Sequence, residues 1–195
     1  MKKKKFKKRR SLRKRYNFGR IRFVFMWIAK ISVVCLFAFV FVWYFGQKVC
    51  ASGDSMNPIL ENGDMTMVNR IIYDASMPKR GDIIAFKPKG NEHAHYYIKR
   101  IIGLPSETVE IKDGSIYING EKLKEEYETT TIENPGIADE KITLAGDEFF
   151  VLGDDRKNSE DSRMADVGNV KRAHIYGKVW FILSPSKHAG FVKSR

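Results

Sequence analysis

The chain has 195 residues and a formal charge of +12, room for one ordinary domain with an appendage but not for two large domains. The charge would suit a nucleic-acid binder, but residues 1–30 hold 14 Lys or Arg and no acid, the first acid is Asp54, and the remainder carries 21 bases against 23 acids. The body is therefore close to neutral, and basicity gives no reason to place nucleic acid among its partners.

Residues 1–22 form a basic tail dominated by Lys and Arg. A run such as Lys2-Lys3-Lys4-Lys5 has nothing to bury, so it is expected to stay solvated or lie against anionic lipid. Residues 23–45 then read as a transmembrane anchor, an apolar run of 23 residues broken only by Lys30 and Ser32, where a bilayer core asks for roughly 20. Lys30 can snorkel toward headgroups, and Trp27, Trp43 and Tyr44 stand toward the two ends as interfacial aromatics do. By the positive-inside rule the tail stays in the cytoplasm and everything after Phe45 is translocated. A cleavable signal is the alternative, with small residues at Ala51-Ser52-Gly53. Such signals have shorter apolar cores, and Trp43-Tyr44-Phe45 is a poor end for one, so an uncleaved single-pass anchor is favoured. Cys35 and Cys50, if helix joins them, stand roughly 22 Å apart at 1.5 Å per residue, too far for a disulfide.

Residues 46–195 read as a mostly-β, antiparallel, extracytoplasmic domain. Short apolar or alternating runs recur at Asp64–Val68, Asp82–Phe86, Thr108–Ile111, Glu148–Leu152 and Lys178–Leu183. Asp113-Gly114 and Asn119-Gly120 are hairpin dipeptides. Residues 121–140, acidic, Thr-rich and broken by Pro135-Gly136, read as a surface excursion. Only the stretch from about Ala165 to Tyr176 is expected to hold a short helix.

Three segments could carry chemistry. Ser52-Gly53-Asp54-Ser55-Met56-Asn57-Pro58 follows the apolar run, with Gly53 allowing unusual torsions and Pro58 fixing the exit of the turn. Ser55 alone would more often be a turn or capping serine. In Tyr97-Ile98-Lys99-Arg100-Ile101-Ile102-Gly103, alternation puts Lys99 on the face of Tyr97 and Ile101. A lysine there is costly unless it is neutral or paired, and the plainer reading is an edge lysine with its amine in water. The segment from Gly153 to Arg163 is densely polar. Asp161 and Arg163 could form an ion pair there, and alone it could be a solvated loop or a weak cation site. It does not follow the EF-hand pattern. His93 and His95 share a strand face without a third ligand, so no metal or other cofactor is implied.

Taken together and in this order, the three segments resemble the boxes of the type I signal peptidases, or leader peptidases. The boxes read Ser55-Met56-Asn57-Pro58 just outside an anchor, Lys99-Arg100-Ile101-Ile102-Gly103-Leu104-Pro105, and Gly153-Asp154-Asp155-Arg156 through Ser159-Glu160-Asp161-Ser162-Arg163. The resemblance is nearest to the Gram-positive bacterial form, and Ile175-Tyr176-Gly177-Lys178-Val179-Trp180 looks like the family's last core strand. It implies a β-rich catalytic core, a Ser55 nucleophile and a Lys99 general base. Ser159 would orient the lysine amine, and Asp161 and Arg163 would brace the site. The Ser55 main-chain N–H, in the loop of Gly53 and Met56, would supply an oxyanion donor. The implied activity is removal of signal peptides from exported preproteins after small residues, at the cell membrane and without cofactor. Ile59, Ser106-Glu107 and Asp155 depart from the family pattern. They bear on substrate range, so a dedicated peptidase serving few substrates stands as the alternative. A non-catalytic relative would be expected to lose Ser55 or Lys99, and both are kept.

Overall fold

A computed structural model describes residues 18–183 and 189–192; most of the basic tail, including Lys2 to Lys5, lies outside them. The chain divides into two units that part between Val40 and Phe41. The first carries most of helix α1 (Phe18–Phe45), 28 residues long, which at 1.5 Å per residue extends about 42 Å. The helix is long and apolar enough to cross a membrane. Phe18 to Arg22, ahead of the apolar run at Phe23, are already helical; they contain no proline and join an established helix.

The second unit is an antiparallel β domain of two sheets. Its strands are β1 (Gln47–Cys50), β2 (Met65–Asn69), β3 (Ile83–Phe86), β4 (Tyr97–Gly103), β5 (Thr108–Lys112), β6 (Ser115–Ile118), β7 (Glu121–Lys122), β8 (Ile142–Thr143), β9 (Glu148–Leu152), β10 (Val170–Lys171), β11 (Ile175–Ile182) and β12 (Gly190–Phe191). The larger sheet runs β1-β2-β11-β3-β4-β9-β10 with β12 added to β11, and the smaller runs β7-β6-β5-β8. Every strand pair is antiparallel.

Local sequence explains the smaller sheet. Asp113 and Gly114 (φ 49° and 69°) turn β5 into β6, and Asn119 and Gly120 (φ 52° and 85°) turn β6 into β7. Both central residues of each turn have positive φ, the I′ geometry whose twist matches that of the strands it joins. In the larger sheet, β3 is wholly buried and β4 is buried from Ile98 to Gly103. These are interior strands covered on both faces, which is why β3 reads as a continuous apolar run and why Lys99 and Arg100 of β4 are buried with it. One core cluster gathers Met56, Leu60, Ile83, Ala85, Ile98 and Val179. Another joins the two sheets through Ile102 and Leu152 on one side and Val109, Ile111 and Ile116 on the other.

Two local expectations change. The stretch from Ala165 to Tyr176 holds a 3-10 turn at Arg172–His174, whereas a short α-helix, α2 (Ile72–Ala75), follows β2. Asn69 nucleates it by accepting the Ile72 N–H at 3.2 Å. The excursion at residues 121–140 does run largely over the surface, but Ile132 and Ala138 are buried and pin it to the core.

Candidate active site

The loop after β1 is fixed at both ends. Ala51 donates its N–H to the Asp64 carbonyl at 2.8 Å and accepts the Gly63 N–H at 2.9 Å. Inside it, Gly53 (φ +82°) donates its N–H to Asn62 Oδ1 at 3.0 Å. Asn57 and Leu60 then close turns onto the Asp54 and Met56 carbonyls, at 3.0 Å each. Ala51, Met56 and Leu60 are buried, so the loop hangs from Ala51 and Met56 on either side of a short polar crest, Ser52 to Ser55. Ser55 sits half-buried on that crest. Among the described residues its main-chain N–H makes no hydrogen bond.

Lys99 approaches from β4, standing opposite Ile84 of β3. Its amine is not held in water: Lys99 is 4% exposed, and the amine donates to the Ser55 hydroxyl at 2.5 Å. The Tyr97 ring centre lies 5.8 Å from the same nitrogen. Burial pulls the amine down from 10.5 to about 8. The carboxylates of Asp161, Glu160 and Asp154 pull the other way, and Arg163 adds to the depression. Desolvation wins because it removes water from the whole ammonium group, while the acids act through intervening structure.

The third segment supports both residues. Asp155 donates its N–H to the Ser55 carbonyl at 3.1 Å. Asp161, fully buried, takes Arg163 in a two-point pair at 2.8 and 2.9 Å and also accepts the Gly153 N–H at 3.1 Å. The expected ion pair is formed. A Cβ at Gly153 would lie 2.2 Å from Ser159 Oγ and 2.4 Å from the Ser55 carbonyl, so only glycine fits between those two serines. Ser159 is buried there, but its Oγ makes no hydrogen bond among the described residues, to Lys99 or to anything else. The expected Ser159–Lys99 bond is not formed. The Lys99 amine is directed at Ser55 instead.

Two further ion pairs hold this segment and were not singled out from the sequence. Arg100, fully buried, grips Asp154 through Nε at 2.8 Å and Nη2 at 2.6 Å, donates to the Gly81 carbonyl at 2.9 Å, and lies 3.9 Å from the Tyr127 ring centre. Arg156 pairs with Glu125, which also accepts the Tyr127 hydroxyl at 3.0 Å. A signal existed for the first. Arg100 interrupts a buried apolar strand, and a buried charge needs a partner.

Ser55 and Lys99 open on a cleft of about 360 Å³, walled by Ala51 and Gly53 on the loop side, Tyr96 and Ile98 on the β4 side, and Glu160. β9 pairs with β4 only from Arg100 onward, so Tyr97 to Lys99 keep one strand edge without a strand partner among the described residues. An edge of this kind accepts an extended peptide by main-chain hydrogen bonding. The arrangement is thus a hydroxyl, an amine held near neutrality, an unused N–H and an open strand edge. Serine activated by a base can attack a carbonyl held in such a place.

Comparison with known proteins agrees in kind. The family model described as signal peptidase, peptidase S26, matches residues 24–184. Signal peptidase I P of Bacillus subtilis subsp. natto is 32% identical over 84% of this chain and 92% of its own. Signal peptidase I of Leptolyngbya laminosa is 40% identical over 64% of this chain and 62% of its own. Among solved structures, a signal peptidase I from Enterococcus faecalis V583 is 36% identical, with a TM-score of 0.42, over 53% of this chain and 97% of that one.

Proposed function

Because the chain belongs to the signal peptidase family, peptidase S26, and is therefore a peptidase that removes signal peptides from preproteins, we propose that it does so as a membrane-anchored serine endopeptidase with a Ser55–Lys99 dyad. The observation that carries this reading is the 2.5 Å hydrogen bond from the Lys99 amine to the Ser55 hydroxyl, part-buried at the wall of a cleft.

In this mechanism the preprotein lies extended along the open edge of Tyr97 to Lys99. Neutral Lys99 takes the Ser55 proton as Oγ attacks the scissile carbonyl. The Ser55 N–H, in the loop shaped by Gly53 and Met56, donates to the developing oxyanion. Lys99 then passes its proton to the leaving amine, and the signal peptide remains as an ester on Ser55. Water, deprotonated by the same amine, hydrolyses the ester and regenerates the hydroxyl. Asp161 and Arg163 position Gly153 and, through it, the approach of Ser159 to the Ser55 carbonyl. Ala51, Gly53 and Ile98 leave shallow apolar space beside the scissile bond, which suits small side chains such as alanine and excludes large ones.

Residues 23–45 act as the anchor, residues 1–22 as a cytoplasmic tail against anionic lipid, and residues 46–195 as the extracytoplasmic catalytic domain. Ser55 follows the end of α1 by ten residues. Sharing a bilayer with its substrates raises their effective concentration.

The test is cleavage of a purified preprotein in detergent by the parent, Ser55→Ala and Lys99→Ala proteins. The parent is expected to make one cut after a small residue, and each variant to lose about 10³-fold or more in rate. Cleavage by Lys99→Ala at the parent's rate would end the dyad assignment.

A further inference from the structure

Tyr96 lines two clefts. One is the Ser55–Lys99 cleft. The other, of about 500 Å³, is walled by Arg70, Lys87, Tyr96, His174 and Tyr176, with the solvent-exposed Glu92 as the one acid in its lining. The two tyrosine rings pack with centres 4.6 Å apart. Each carries a cation: the Arg70 guanidinium lies 4.8 Å from the Tyr176 ring centre, and the Lys87 ammonium 5.2 Å from that of Tyr96. Neither cation is in an ion pair among the described residues; Lys87 donates to the Glu92 main-chain carbonyl. Gly90 lets the far wall close, since a Cβ there would stand 2.6 Å from His174 Nε2.

Long cations normally lose much side-chain freedom when they grip a ligand. Here the aromatic faces already hold them in place. Among the described residues no carboxylate pairs with either charge, and an arginine fork can donate two parallel hydrogen bonds to a carboxylate. The cleft thus offers two cations to an anionic group, while Glu92, the acid in its lining, pairs with neither among the described residues. Tyr96 is common to both linings, which makes the substrate of the neighbouring catalytic cleft the nearest source of that group. Tyr96 precedes Lys99 by three residues, roughly 10 Å at the rise of an extended chain. An extended substrate beside this edge covers the same distance in about three residues.

We propose that the Arg70–Lys87–Tyr96–Tyr176 cleft is a second substrate subsite, which takes an acidic side chain of the preprotein three to six residues from the scissile bond. This rests on the peptidase reading and deepens it. Cleavage sites would be chosen by small residues at the dyad together with a carboxylate at a set distance from it.

The experiment uses the full chain in detergent and a series of preprotein peptides with Glu or Gln placed in turn at the third to sixth positions on either side of the cut. Glu is expected to raise kcat/KM over Gln roughly threefold to fivefold, as an exposed ion pair of good geometry can, at one or two neighbouring positions on one side only. Added salt should shrink that ratio. In the Arg70→Gln, Lys87→Gln double variant the ratio should fall to about one, and Arg70→Glu should shift the preference toward Lys at the same position. Because each ratio is taken within one protein preparation, a partly unfolded variant does not disturb it. If the parent cuts the peptides but the scan is flat, or the preference survives in the double variant, the subsite is overturned. It is equally overturned if the scan is flat and Arg70 and Lys87 instead govern the response of cleavage to phosphatidylglycerol vesicles, since the cleft then serves a lipid headgroup. Failure of the parent to cut any peptide would bring down the peptidase reading itself, a result distinct from a flat scan.

Discussion

Lys99 is the residue on which folding and chemistry pull in opposite directions. Moving its amine from 10.5 to about 8 corresponds to roughly 3 kcal/mol at about 1.36 kcal/mol per pH unit. The sign follows from proton counts. Below pH 8 folded and unfolded chains both hold the proton, and the folded state bears the full cost of the buried charge. Between about 8 and 10.5 the unfolded chain holds more protons, so stability rises with pH through that window. Lys99→Met, apolar and of similar length, should therefore stabilise the domain by up to about 3 kcal/mol at pH 7 while abolishing cleavage. The gain should fade as pH rises toward 10.5. Thermal melts of both proteins in detergent at neutral and alkaline pH measure this, and a parent more stable than Lys99→Met at pH 7 would contradict it. On the parent, kcat/KM should climb with pH through an acid limb near 8, as the free amine appears. In the sequence, Lys99 on an apolar strand read more plainly as an edge lysine with its amine in water, and alternation alone named no partner for it. Ser55 is 44 residues away, and nothing local ties the two. Only the order of the three segments did.

At the scale of the element, β4 and the loop after β9 are held together by a charge pair inside the core. Arg100 and Asp154 are both fully buried, with bonds of 2.8 and 2.6 Å. Truncating one partner strands the other charge in a low-dielectric interior, which costs about 3–5 kcal/mol, whereas replacing both by apolar residues can be nearly neutral. Asp154→Ala is expected to lose that much stability in a denaturant titration, and the Arg100→Met, Asp154→Leu double variant to regain most of it. A double variant no better than Asp154→Ala would mean that packing, not the orphaned charge, sets the cost. Which elements were legible follows the same division between local and distant causes. The Asp-Gly and Asn-Gly hairpins and the strands at Ile83–Phe86 and Glu148–Leu152 are specified by their own residues. Helix α2 is a single turn started by one Asn69 side chain, too short for any periodicity to show. In residues 121–140 the acids looked like solvent-facing charge. Glu125 instead meets Arg156, 31 residues on, and Tyr127 lies under Arg100, partners that only the closed fold brings near.

For the whole molecule the decisive asymmetry is electrical. The bases crowd residues 1–30, and the first acid is Asp54. Moving such a tail across a bilayer against the inside-negative potential costs far more than retaining it, which is the physical content of the positive-inside rule. The two cysteines make the consequence measurable without engineering a reporter. Cys50 is exposed at the end of β1, and Cys35 lies within α1. With the proposed topology, a membrane-impermeant maleimide added to intact cells stripped of their wall should label Cys50 and not Cys35. Cys50→Ser should remove the label, while Cys35→Ser leaves it. Thiols react as thiolates in water, so a sulfur in hydrocarbon is protected by its surroundings rather than by its identity. Denaturation in SDS and urea should therefore open Cys35 to the same reagent, which serves as the internal control for its reactivity. Labelling of Cys50 only after the membrane is permeabilised would put the catalytic domain on the cytoplasmic side. Ser55 would then stand on the wrong face of the bilayer to meet a translocated cleavage site, and the anchor, the tail and the substrate assignment would all have to be reconsidered together.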